Sequence, residues 1–199
     1  MMKIDNISCV VDKTISDLAV QKYEIGLIKY GHISLWDVSK ITDMSQLFCT
    51  DITNGNSFNR DLQYWDVSNV TNMGAMFSEC GDFNQPLNNW DTSNVTNMRQ
   101  MFCSCISFNQ PLNNWDTSNV NNMDEMFVFC TNFNQPLNNW NTSNVTSMDG
   151  MFYRCNKFDQ DISGWDVSKI VEIIDAYINC PITEDKRPKI SYKVTNEII

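Results

Sequence analysis

Histidine is nearly absent from this chain: His32 is the only one in 199 residues. A single histidine, with Cys103-Ser104-Cys105 the one close cysteine pair, argues against a zinc site; one imidazole is enough for a Ser/His/Asp or Cys/His arrangement, but His32 beside Gly31 reads instead as a structural residue of the capping region. Glycine is also scarce, with 7 in all, and no Gly-rich loop is present to cradle a phosphate. Lys and Arg number 14 against 24 Asp and Glu, for a formal net charge of −10. That balance argues against binding a nucleic-acid backbone, which needs concentrated cationic side chains, and favours basic partners. No apolar run approaches the roughly 20 residues of a membrane-spanning helix. The first dozen residues carry Asp5 early and hold no apolar stretch long enough for a signal peptide.

What the chain does have is a period. Tryptophans stand at 36, 65, 90, 115, 140 and 165, and the last five are 25 residues apart. In step with them run Phe77, Phe102, Phe127, Phe152 and Tyr177; Cys80, Cys105, Cys130, Cys155 and Cys180; Phe83, Phe108, Phe133 and Phe158; and Leu62, Leu87, Leu112, Leu137 and Ile162. The first interval is four residues longer, and the polar stretch 51–57, containing Gly55, reads as a loop bulging from one coil.

Within one unit, Val95, Met98, Met101 and Phe102 fall at roughly helical spacing behind Ser93, a residue suited to cap a helix. The segment Leu112 to Trp115, with Pro111 at its start, reads as a short strand. The expected fold is therefore α/β: a leucine-rich-repeat-like solenoid of 25-residue coils, one short strand and one short helix per coil, stacked into a parallel sheet. The expected organisation is an N-terminal cap over 1–35, the repeat solenoid over 36–180, and a C-terminal cap or tail over 181–199. A lone unit buries too little apolar surface to offset the entropy of ordering it, so neighbours must supply the remainder.

Several columns carry chemistry of their own. Asp37, Asp66, Asp91, Asp116 and Asp166 each follow a tryptophan, and Asn141 takes one place. Calcium ligation and acceptance of backbone N–H bonds in a turn both fit; Asn141 favours the second, because that role survives exchange of Asp for Asn. The asparagines of Leu87-Asn88-Asn89-Trp90 and its copies are expected to bond along the stack. Strand alternation leaves open an outward tryptophan stripe for sugars or peptides, with a ladder bent into the core as the alternative. The cysteine ladder reads as one small buried sulfur per coil, although stacked coils lie near enough for disulfides. Asn69, Asn94, Asn141 and Asn144 head glycosylation sequons that recur because the repeat does.

Copies within the chain can also be compared with one another. The segment Asn-Gln-Pro-Leu-Asn-Asn-Trp is nearly invariant in the three central ones, whereas change concentrates at 74–75, 99–100, 124–125 and 149–150, and at 78–79, 103–104, 128–129 and 153–154. Val128, Phe129 and Tyr153 are apolar at these outward positions, and with Arg154 they form the candidate partner-binding patch. Local packing of the turn is the alternative.

Met76 to Met98 reads Met-Phe-x-x-Cys-x-x-Phe-Asn-Gln-Pro-Leu-Asn-Asn-Trp-Asp-Thr-Ser-Asn-Val-Thr-Asn-Met, and the pattern returns from Met101 onward. Together with Tyr30 to Ser39, it resembles the 25-residue repeat of the BspA-like leucine-rich-repeat surface proteins, also known as a domain of unknown function in mycoplasma lipoproteins. The resemblance covers about Gly31 to Cys180. It implies a surface or interaction protein, adhesive in some members, with no catalytic residue; similar repeats occur in protists and large DNA viruses.

The function expected is a non-enzymatic protein-interaction scaffold presenting an extended repeat surface to a macromolecular partner. The alternative is a self-associating structural or assembly component of a particle or surface layer. No cofactor, metal, catalytic residue or nucleic acid is expected, and monomer versus self-association is open. Without a signal peptide, the cytoplasm (host cytoplasm or virion for a viral chain) is favoured over secretion.

Overall fold

The computed structural model describes residues 32–49 and 58–190. The expected insertion loop over 51–57 and most of the expected N-terminal cap lie outside the described residues.

The period is real, but its secondary structure is not the expected α/β. Among the described residues the only helices are two three-residue 3-10 turns, Ile33–Leu35 and Glu184–Lys186. The only pairings of strand type are isolated parallel bridges, Asp43↔Asn72, Asn72↔Asn97, Asn97↔Asn122 and Asn122↔Ser147. One bridge per coil makes a line of single contacts, so there is no parallel sheet, and no helix stands behind it.

Where a helix was expected, the chain makes consecutive four-residue turns. Met101 N–H donates to Met98 O at 3.2 Å, Cys103 to Gln100 at 3.0 Å and Cys105 to Phe102 at 2.9 Å. The third residues of the outer two turns, Gln100 and Ser104, have φ of 58° and 61°. This is the left-handed conformation required at that place in a type II turn, and it cannot propagate a helix. The N–H groups between, on Met98, Gln100, Phe102 and Ser104, donate instead to the carbonyls of Asn122, Asp124, Met126 and Val128 at 2.7–3.0 Å. The same set recurs from Met73, Ala75, Phe77 and Glu79 to Asn97, Arg99, Met101 and Cys103. Every second amide therefore bonds to the next coil, and these donors all face the C-terminal end of the stack.

The strand expected near Leu112 is likewise a turn, with Trp115 N–H bonded to Leu112 O at 3.1 Å. This places both side chains inward, and Trp90, Trp115, Trp140 and Trp165 are 3–5% exposed. Each indole donates Nε1–H to the leucine carbonyl of the preceding coil, as in Trp115 to Leu87 at 2.9 Å and Trp140 to Leu112 at 3.0 Å. A buried indole with its donor satisfied leaves no outward stripe.

Three aromatic columns fill the core. Phe48, Phe77, Phe102, Phe127, Phe152 and Tyr177 stack with ring centroids 5.5–6.4 Å apart. The second column is Phe58, Phe83, Phe108, Phe133 and Phe158, and the third is the tryptophans from Trp90 to Trp165. Rings of the first two columns interdigitate at 4.1 Å in Phe77–Phe83 and 4.2 Å in Phe102–Phe108. At the C-terminal end the Arg187 guanidinium lies 4.7 Å over the Tyr177 ring, and Ile182 is buried beside the last coil. Lys186 pairs there with Asp159 at 2.8 Å.

The cysteine column is reduced. Cys105, Cys130 and Cys155 are buried, and each Sγ–H donates to the carbonyl of Phe77, Phe102 or Phe127 at 2.8–3.0 Å. Burial pushes these thiols well above their ordinary pKa, which keeps the protons those bonds require.

The aspartates after the tryptophans close turns. Asp91, Asp116 and Asp166 each accept the backbone N–H of the serine two residues on, at 2.9–3.0 Å, and Asn141 does the same for Ser143 at 3.1 Å. Hydrogen bonds from Ser93 and Ser168 hold the Asp91 and Asp166 carboxyls below the ordinary 3.8. A carboxylate depressed in the folded state stabilises the fold above its unfolded pKa and ceases to do so as pH falls through the folded value. The urea midpoint is therefore expected to fall below about pH 4. In a chain carrying Asp91→Asn and Asp166→Asn the fall should be shallower, since Asn141 already performs this role. Parallel midpoint-against-pH curves for the two chains would contradict the assignment.

Candidate functional site

The residues marked out by variation between copies sit on the turn segments, and the structure brings most of them together. Phe129 is 37% exposed and meets Tyr153 edge to face at 5.8 Å. The exposed Arg154 places its guanidinium 5.4 Å from the Phe129 ring and 5.6 Å from the Tyr153 ring. Val128 departs from expectation: at 9% exposure it is essentially buried, and it contributes a wall rather than an outward contact.

Beside the aromatic pair lies a shallow groove of about 350 Å³. Its apolar lining is Val128, Phe129, Tyr153 and Ile174, and its polar lining is three carboxylates, Glu125, Asp149 and Asp175, with Gly150 between. Asp149 is fixed by Ile174 N–H, which donates to its Oδ1 at 2.8 Å. Glu125 is held by the Gln100 side-chain amide and lies 3.9 Å from Arg99, an ion pair that is half exposed and so weak. Glu125, Asp149 and Gly150 were visible in the sequence only as variable positions. Ile174 and Asp175 come from the last repeat, where no further copy follows to mark them as variable.

The remaining candidates are local. His32 Nδ1 lies 2.7 Å from Ser34 Oγ and accepts Ser34 N–H at 3.3 Å, which caps the Ile33–Leu35 turn. Cys103 and Cys105 diverge. Cys105 points into the core, while Cys103 is half-buried, 3.9 Å from the Ser104 hydroxyl, with burial raising its pKa.

The asparagines bond along the stack, mostly through backbone partners rather than amide to amide. Asn88 and Asn113 side-chain oxygens accept the N–H of Asn114 and Asn139, each at 3.1 Å. In three of the sequons the amide nitrogen is engaged: Asn69, Asn94 and Asn144 donate to Ser39, Ser68 and Ser118 carbonyls at 2.6–2.8 Å. A glycan there would cost the coil-to-coil bond.

The recurring turns define a repeat protein, and comparison with family models places it. Residues 19–127 and 86–186 match the family described as "Mycoplasma protein of unknown function, DUF285". The two matches overlap and together span most of the chain, which belongs to this family. No curated protein and no solved structure is found to match it.

Proposed function

We propose that this chain is a non-enzymatic interaction scaffold whose working surface is the row of variable turn positions, centred on Phe129, Tyr153 and Arg154. One observation carries this reading: the variable turn positions bring Phe129, Tyr153 and Arg154 together at the surface, while the aromatic core columns stay nearly fixed from copy to copy and the Asn-Gln-Pro-Leu-Asn-Asn-Trp segment does so in the three central copies. A rigid stack that keeps its interior and diversifies one face suits the presentation of a binding surface. The finer likeness to BspA-like leucine-rich-repeat surface proteins points the same way. An acidic chain with net charge −10 favours a basic protein partner over nucleic acid.

A second reading, self-association, has its own support. Val171, Ile174 and Ile178 on the last repeat are 44–87% exposed. The outward amides of Asp175, Tyr177 and Asn179 have no acceptor among the described residues.

The double change Phe129→Ser and Tyr153→Ser tests the first reading, with circular dichroism confirming that the fold is retained. A partner captured by the native chain and lost by the variant supports the scaffold. Equal capture by both chains overturns it. Light scattering that shows oligomers growing with concentration favours self-association instead.

A further inference from the structure

The groove exists because one side chain is missing from a column. The third residue of the first turn in successive coils is Gln46, Ala75, Gln100, Glu125, Gly150 and Asp175, each with φ between 54° and 62°. Every member but Gly150 carries a side chain outward. A Cβ placed on Gly150 would stand 3.3 Å from Glu125 Cγ and 3.7 Å from Val128 Cγ2, so a side chain there would enter the groove. With glycine, the space stays open between the carboxylates of Glu125 and Asp175, and Asp149 completes the acidic side. Val128, Tyr153 and Ile174 supply apolar walls, and no Lys or Arg lines the groove.

We propose that this groove receives a lysine side chain from a partner protein segment in which apolar residues flank the lysine. The lysine takes the place of the side chain absent at Gly150. Its methylene stem packs on Tyr153 and Ile174 while its ammonium meets Glu125, Asp149 and Asp175. The flanking apolar residues of the segment lie on the exposed face of Phe129. Charge complementarity selects this occupant, because three carboxylates meet a single cation, Arg99, through a half-exposed and weak contact to Glu125 at 3.9 Å, so an acidic segment is disfavoured and the chain's negative field draws a basic one to the groove.

The inference rests on the scaffold reading and names the chemistry of its partner. Fluorescence anisotropy would follow a labelled short peptide in which one lysine is flanked by leucines, beside the same peptide with glutamine in place of lysine. The native chain is expected to favour the lysine peptide by about tenfold. That preference should weaken with added salt and disappear in Glu125→Gln/Asp175→Asn. Gly150→Gln should weaken lysine-peptide binding by about tenfold while the chain remains folded, because Gln100 and Gln46 hold the same left-handed position natively.

Equal binding of both peptides, or undiminished binding by Gly150→Gln, would overturn the inference. A concentration-dependent dimer dissolved by Gly150→Gln would also overturn it, by making a second copy the occupant. Failure of these arms alongside continued loss of the captured partner in Phe129→Ser/Tyr153→Ser would leave the scaffold standing without this chemistry. Retention of the partner in that double variant would remove the scaffold itself.

Discussion

Replacing Phe102 by alanine is expected to cost about 3–5 kcal/mol, the range for deleting a fully buried phenylalanine from a packed core. Phe102 has no solvent exposure and sits where the aromatic columns meet. Its ring lies 5.6 Å from Phe77, 5.7 Å from Phe127, 4.2 Å from Phe108 and 6.1 Å from Trp115. Neighbouring backbone cannot collapse into the vacated space, because each coil is pinned to the next by the Phe102 and Ser104 amides donating to Met126 and Val128. The cavity therefore persists, and with it the penalty for lost contacts. It also lies at a coil-to-coil junction, so urea unfolding should show a lower midpoint and a tendency to separate into two steps. Phe129→Ala, at a ring that is 37% exposed, should cost less than about 1.5 kcal/mol. Comparable losses for the two substitutions, measured by urea titration, would mean that the Phe102 column is not the core.

The repeat and its columns were legible in the sequence, because a fixed period aligns identical side chains whatever the backbone does between them. The helix and strand were not. Met98, Met101, Phe102 and Cys105 stand at intervals of three, one and three, as on one face of a helix. Chained four-residue turns generate the same intervals while sending alternate amides to the neighbouring coil. Composition gave no warning, since the left-handed positions are held mostly by Gln, Glu, Ser and Ala rather than by the Gly or Asn that usually mark such turns.

Strand alternation left the direction of the tryptophans open, and the Leu112–Trp115 turn settles it by folding both residues inward. At the candidate site, variation between copies singled out Phe129, Tyr153 and Arg154, which the structure places side by side. The carboxylate side was hidden, because a groove made by an absent side chain appears only when Glu125, Gly150 and Asp175 are seen as successive layers. The burial of Val128 was hidden for the same reason.

The whole reading depends on coils that fold only as a stack in register. Removing residues 103–127 joins Phe102 to Val128 and preserves every column, because Phe102 and Phe127 hold equivalent places. Removing residues 103–118 joins Phe102 to Asn119 and leaves one coil without its return path through Phe108, Leu112 and Trp115. The first deletion subtracts one coil and its junctions, which should lower the urea midpoint and reduce the denaturant dependence in proportion to the surface lost. The second takes Phe108 and Trp115 out of two of the three aromatic columns and Ser104 out of the amide ladder at once, and the short stacks left on either side fall near the minimum a repeat array needs to hold together. Urea unfolding of the two deletion chains side by side is the direct test. A single cooperative transition in the chain lacking 103–127, and none in the chain lacking 103–118, is the expected result; equal cooperative unfolding of both would contradict a structure built from mutually dependent coils.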